Sequence, residues 1–217
     1  MIEVENLCLD IAGSRILDNV TFKIPENKVV GFLGVNGAGK TSTLDILAGC
    51  SRYYKGSIKF DGVELFENEE QILGKVGYLP DEPPLYQDLR VCEYLDYVAS
   101  LYGLSNKDRM RRSSEMLIKF DLQAVSKKLI GSLSKGFRQR VSLAASLIHN
   151  PRYIFLDEPT EGLDPAQIKK IRDLILELKN DHTIFLSSHI LSEVESICDH
   201  LIVIDNGSII KEEEFPR

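Results

Sequence analysis

The chain has no tryptophan, and only four cysteines among 217 residues. Cys8, Cys50, Cys92 and Cys198 stand far apart, so no pair has the spacing of a metal-binding or redox motif. Free thiols in apolar or helical contexts act as small hydrophobes, and this usage fits a reducing cytosol. No apolar run approaches the length needed to span a bilayer. The opening MIEVENLCLD is acidic and strand-like, unlike the basic start of a secretory signal. Work at a membrane is therefore expected to run through a partner. A positive excess is missing too: 26 Lys and Arg face 33 Asp and Glu, for a net charge of -7. A sequence-independent nucleic-acid binder needs the opposite balance, so no nucleic-acid partner is expected. The basic cluster Lys107, Arg109, Arg111 and Arg112 reads as a solvated helix face. Repeats and low-complexity segments are absent. At 43% hydrophobic and 27% charged, residues 1–217 are expected to form a single globular unit.

Residues 1 to about 33 read as strands. Val20, Phe22 and Ile24 alternate with Thr21 and Lys23, the pattern of a half-buried antiparallel strand. Lys28 to Leu33 is a short apolar run entering a glycine loop, which suits a buried parallel strand. A helix is expected over 41–48, and strands over 56–60 and 76–79. From about 85 to 150 the spacing turns helical, over 91–102, 107–120 and 135–149. Strands return at 153–156, 183–186 and 201–204, with helices over 165–179 and 190–198 between them. Strands alternating with helices imply a parallel sheet. The expected class is α/β: a core of 1–84 and 151–217 with a mainly parallel sheet, an antiparallel N-terminal β subdomain, and an inserted helical lobe over about 85–150.

Gly34-Val-Asn-Gly-Ala-Gly-Lys-Thr41 matches G-x-x-x-x-G-K-[ST] between a strand and a helix, the mark of a P-loop NTPase core. Backbone amides around Gly34, Asn36, Gly37, Ala38 and Gly39 would wrap phosphates. Lys40 would reach the β- and γ-phosphates, Thr41 would ligate Mg²⁺, and Ser42 could add a phosphate contact. The apolar run Tyr153–Leu156 ends in Asp157 and Glu158. Ligands of open parallel sheets sit beyond the carboxyl ends of strands. Asp157 is therefore placed for Mg²⁺, and Glu158 to poise a water for in-line attack. His189 ends the next strand, where it could donate to the γ-phosphate. A second anion site is expected at Leu133-Ser-Lys-Gly-Phe-Arg-Gln-Arg140, a Ser-x-Gly turn that opens a helix.

Together these residues resemble the ATP-binding subunits of ABC transporters, over essentially the whole chain. Leu133–Arg140 resembles the family's signature, with Lys135 where many relatives have glycine, most like the bacterial exporter-type branch. Gly162-Leu-Asp164 resembles the loop that crosses the dimer interface, and His189 the switch histidine. The resemblance implies a head-to-tail dimer of two copies, or of one copy and a related subunit, around two ATP molecules with Mg²⁺. Ser134, Lys135, Gly136 and Gln139 would act on the nucleotide held by the other copy. It also implies a cytoplasmic ATPase, peripheral on the inner face of the cell membrane, that powers a transmembrane permease, most like an exporter. A non-transport ATPase of the same type, in DNA repair or translation, is the alternative. Repair proteins carry a long coiled coil, and the roughly ninety residues between Lys40 and Ser134 leave no room for one.

Two positions depart from the resemblance. Asp81 stands where the family has glutamine; it is shorter and negative, so it suits metal contact but repels phosphate. Near Ile11 the family stacks adenine on an aromatic ring, whereas Ile11 offers only apolar contact. The segment from Asp81 to Leu89, with Leu85 and Tyr86, would receive the permease, or else be lobe core.

Overall fold

The computed structural model describes residues 1–215; the expected unit of 1–217 extends two residues beyond them. Two sheets organise the chain. The first is antiparallel, in the order β2 (Ser14–Ile24), β1 (Ile2–Ile11), β4 (Lys55–Phe60), β5 (Val63–Glu64). The second runs β10 (Ser208–Glu214), β9 (His200–Asp205), β3 (Val29–Leu33), β8 (Thr183–Ser188), β7 (Tyr153–Leu156), β6 (Val76–Leu79). All its neighbours pair in parallel except the β10 edge. The sheet is thus mainly parallel and the N-terminal part antiparallel, as the sequence implies.

Strict alternation along the strands explains why the parallel sheet is buried on both faces. In β7, Tyr153 and Phe155 enter one apolar cluster and Ile154 and Leu156 the other. The first cluster fills the space between the sheets around α1 (Lys40–Leu47). It is rich in aromatic rings: Phe22, Phe32 and Phe185 lie 5.1–5.8 Å apart, centroid to centroid. The second cluster joins the opposite face to the helices α3 (Val91–Leu101), α4 (Asn106–Lys119), α5 (Lys135–Ser146), α6 (Pro165–Leu178) and α7 (Leu191–Ile197). The helical lobe therefore shares a core with the sheet.

The expected elements lie within a few residues of those observed. The strands β5 and β10 and the helix α2 (Glu69–Leu73) are additional. The helix expected to run to His149 stops at Ser146. Arg112 caps this end: its guanidinium donates to the Leu147 and Ile148 carbonyls, both at 2.9 Å, and the Leu147 carbonyl also accepts a turn bond from the Asn150 N–H. Asn150, at φ 57°, then turns the chain into Pro151. Arg112 is thus a structural cap rather than part of a solvated face. Arg109 and Arg111 pair with Asp96, Asp108 and Glu115 on the lobe surface.

A second contact fastens the lobe to the sheet edge. The His149 ring stacks on Tyr102 at 3.6 Å, and its Nε2 lies 3.0 Å from the Val76 carbonyl. A carbonyl only accepts, so Nε2 carries the proton. Burial keeps this ring neutral and pushes its pKa down to about 4.

Candidate functional site

The carboxyl ends of β3, β6, β7 and β8 lie side by side, and each delivers an expected site residue. From β3 the chain enters the loop 34–39. A Cβ on Gly34 would sit 2.5 Å from the Ile204 carbonyl, so only glycine lets the loop lie this close to β9. Gly39, at φ 107°, occupies the cap of α1 in a conformation that L side chains avoid. The first N–H groups of α1 have no intrahelical partner and point outward. A cavity of about 420 Å³ opens in front of them. Asn36, Gly37, Gly39, Lys40, Thr41 and Ser42 line one side, and Asp81, Glu158 and Glu161 the other. Gly34 and Ala38 are buried beneath the loop.

The Lys40 ammonium donates to the carbonyls of Gly34 at 2.8 Å and Val35 at 3.3 Å. It also lies 3.2 Å from Glu158 Oε1, in an ion pair buried on both sides. The other Glu158 oxygen is 3.0 Å from His189 Nδ1. A carboxylate accepts, so Nδ1 carries the proton. A neutral His189 then has only an acceptor at Nε2. The expected donation to a phosphate therefore needs the doubly protonated ring.

Glu158 has a backbone φ of 44°, a conformation that costs a non-glycine residue about 1–3 kcal/mol. Ser187 holds it there. The Ser187 hydroxyl accepts from the Glu158 N–H at 2.9 Å and donates to Asp157 Oδ1 at 2.5 Å. Sequence reading stopped at His189 and gave Ser187 no role, because a small residue at a strand end carries no pattern. Replacing it leaves two buried groups unpaired. Ser187→Ala is expected to destabilise the fold by about 1–3 kcal/mol. Denaturant unfolding checks this; an unchanged midpoint would remove Ser187 from the account.

The second oxygen of Asp157 is buried and has no partner. An orphaned carboxylate oxygen at the end of β7 fits a divalent cation. No three acidic or histidine side chains converge on one point among the described residues. Mg²⁺ takes one or two protein oxygens and completes its shell with phosphate and water. Asp81 adds to a strongly negative rim. Its pKa is raised by burial first, then by the charges of Glu161, Asp157, Glu158 and Glu82.

Ile11 lies outside the lining of the cavity. It ends β1 half-exposed, and Ile16 on β2 supplies the apolar contact instead.

The signature turn stands on the same face. Ser134 caps α5, its hydroxyl accepting from the Phe137 N–H at 3.4 Å. The helices α2, α3, α4 and α7 carry an acid in the first turn and α6 carries one at its cap, Asp164, whereas α1 and α5 have an acid at neither place. The positive ends of α1 and α5 are therefore left uncompensated. Ser134 and Lys135 are exposed, but Gly136 and Gln139 are not. The Gln167 amide sits where a Gly136 side chain would be, and Gln139 donates to the Pro159 carbonyl at 3.2 Å. Gln139 is thus tied to its own chain, at the edge of a second cavity that Lys135 and Arg138 also line. Lys135 crosses Gly162, and Asp164 caps α6 by accepting from the Gln167 N–H at 3.0 Å.

The family model for the ABC transporter matches residues 17–161. A bacitracin transport ATP-binding protein of Bacillus licheniformis is 37% identical over 99% of this chain and 70% of its own length. A lantibiotic transport ATP-binding protein of Streptococcus pyogenes is 38% identical over 99% of this chain and 91% of its own. The solved structure of an ATP-binding subunit of an ABC transporter superposes with a TM-score of 0.88. It is 30% identical and covers 99% of this chain and 90% of its own.

Proposed function

The chain belongs to the ABC transporter family as an ATP-binding subunit and ATPase, and from that premise we propose that it powers a membrane permease by closing a head-to-tail dimer over two ATP molecules. The observation that carries this reading is the pair of uncompensated helix starts, one in the nucleotide cavity and one exposed at Ser134. A facing copy, identical or related, would bring its second grip onto the phosphate held by the first.

The geometry assigns roles to the chain's own residues. An entering triphosphate replaces Glu158 at the Lys40 ammonium and frees that carboxylate. Glu158 then takes a proton from the attacking water. Ser187 keeps the carboxylates of Asp157 and Glu158 apart and aimed. His189 holds Glu158 through Nδ1, and as imidazolium also donates to the γ-phosphate. Thr41 and the free oxygen of Asp157, with Asp81 beside them, would hold Mg²⁺, and that ion would supply charge neutralisation on the phosphates. Ser134 accepts the Phe137 N–H through its lone pairs, so its proton is free for a phosphate oxygen of the facing copy. Lys135 adds positive charge there.

No helix among the described residues is long and apolar enough to cross a membrane. The permease partner would hold the chain at the inner face of the cell membrane. Its docking surface starts beside Asp81 and centres on Tyr86, which is 55% exposed. The Tyr86 ring lies 5.6 Å from Tyr97, also exposed, while Leu85 and Leu89 turn inward onto the core. The surface is thus aromatic and ends at Asp88. Tyr86→Ala combined with Asp88→Lys is expected to reduce recovery of the permease by about tenfold in co-purification. Turnover by the isolated subunit should be unchanged. Undiminished recovery would return this patch to the lobe. The exporter-like form of Leu133–Arg140 supports export, and the two transport relatives make antibiotics of their kind the first cargo to test.

A further inference from the structure

One buried carboxylate outside the cavity has no part in the roles above. Glu193 lies on α7, four residues beyond His189, and is 7% exposed. Its Oε2 accepts a hydrogen bond of 2.6 Å from the hydroxyl of Thr160, itself buried and two residues beyond Glu158. Its Oε1 lies 3.6 Å from the Arg172 guanidinium on α6. These three residues frame the loop 160–164. Thr160 begins it, and α6 starts where Asp164 ends it. The start of the loop, and through Arg172 the body of the helix that follows it, are therefore fastened to one carboxylate.

That carboxylate sits on a helix with little freedom of its own. The helix α7 packs so closely on β3 that a side chain on Gly31 would collide with Val194. It also follows His189 after a single residue, Ile190. A displacement of the loop can thus reach His189 through Glu193, without passing through the cavity. We propose that Glu193, with Thr160 and Arg172, is a positioning residue that transmits the arrival of a facing copy at loop 160–164 to His189 and Glu158. The inference rests on the dimer reading above.

The test uses the full chain with three substitutions of nearly equal shape: Thr160→Val, Thr160→Ser and Glu193→Gln. Thr160→Val and Glu193→Gln are expected to lower kcat by about tenfold while the ATP affinity of the monomer changes by less than about twofold. Thr160→Ser keeps the hydroxyl and is expected to restore kcat. A structural staple alone would shift thermal unfolding without this split between kcat and affinity. The coupling is overturned if kcat is unchanged in both variants, if affinity falls in step with kcat, or if Thr160→Ser fails to restore the rate. A separate control protects the distinction. If Glu158→Gln alone forms no dimer with ATP, the dimer reading itself fails. If it dimerises and the Thr160 and Glu193 variants turn over normally, only the coupling fails.

Discussion

Glu158→Gln slows ATP turnover by about 10²–10⁴-fold, the usual contribution of a general base, and leaves nucleotide binding intact. The substitution keeps the shape of the side chain and removes its charge. The Ser187 contact is made by the backbone N–H of residue 158, so it survives. The Lys40 ammonium loses a partner at 3.2 Å that a triphosphate must otherwise displace. Affinity for ATP should therefore be equal or higher. A dimer that forms on ATP and dissolves on hydrolysis should accumulate. Turnover and nucleotide affinity, measured on the same preparation, check the pair of effects. Turnover within tenfold of the unsubstituted protein, or loss of binding, would move the catalytic role elsewhere.

Ser134→Arg is the second large effect. Ser134 is exposed and lies outside the nucleotide cavity, so binding by a single copy should not change. The local cost is one helix cap, about 1 kcal/mol, which leaves the fold standing. A long side chain at the cap occupies the space where a facing phosphate would sit, and the hydroxyl donor is gone. ATP-dependent dimerisation is expected to disappear, and turnover to fall by about 100-fold or more, a loss typical of a removed anion donor. Sedimentation of Glu158→Gln with and without Ser134→Arg, in ATP, reads the dimer directly. A dimer in both would reduce the Ser134 turn to a helix cap.

Much of this arrangement is legible in the residues because function and pattern coincide. The strands β6 and β7 are short apolar runs ending in proline or acid, and their bounds follow from that contrast. The loop 34–41 and the pair Asp157 and Glu158 are read from residue type and place alone. What escapes the sequence has physical causes. The strand β10 carries Lys211, Glu212, Glu213 and Glu214, side chains that a solvent-exposed edge tolerates and a strand pattern does not show. The bond from Gln139 to the Pro159 carbonyl joins segments twenty residues apart, and the motif does not show it. Ile16 rather than Ile11 lines the cavity, a meeting of the hairpin with the loop 34–42 that no local pattern shows. Ser187, Thr160 and Glu193 act through contacts between segments about thirty residues apart, which no local pattern encodes.

The central claim is that Lys40 of one copy and Ser134 of the other serve the same ATP. Mixing two inactive variants tests it most directly. Lys40→Ala disables the cavity of its own copy, and Ser134→Arg disables the turn it offers. In a mixed head-to-tail dimer, one site keeps an intact Lys40 and an intact Ser134. The other site carries both defects. Turnover should therefore reappear on mixing, to about half that of the unsubstituted protein for each mixed dimer, since one of two sites is restored. If the turn serves the cavity of its own chain, every site in the mixture remains defective and turnover stays at the level of the separate variants.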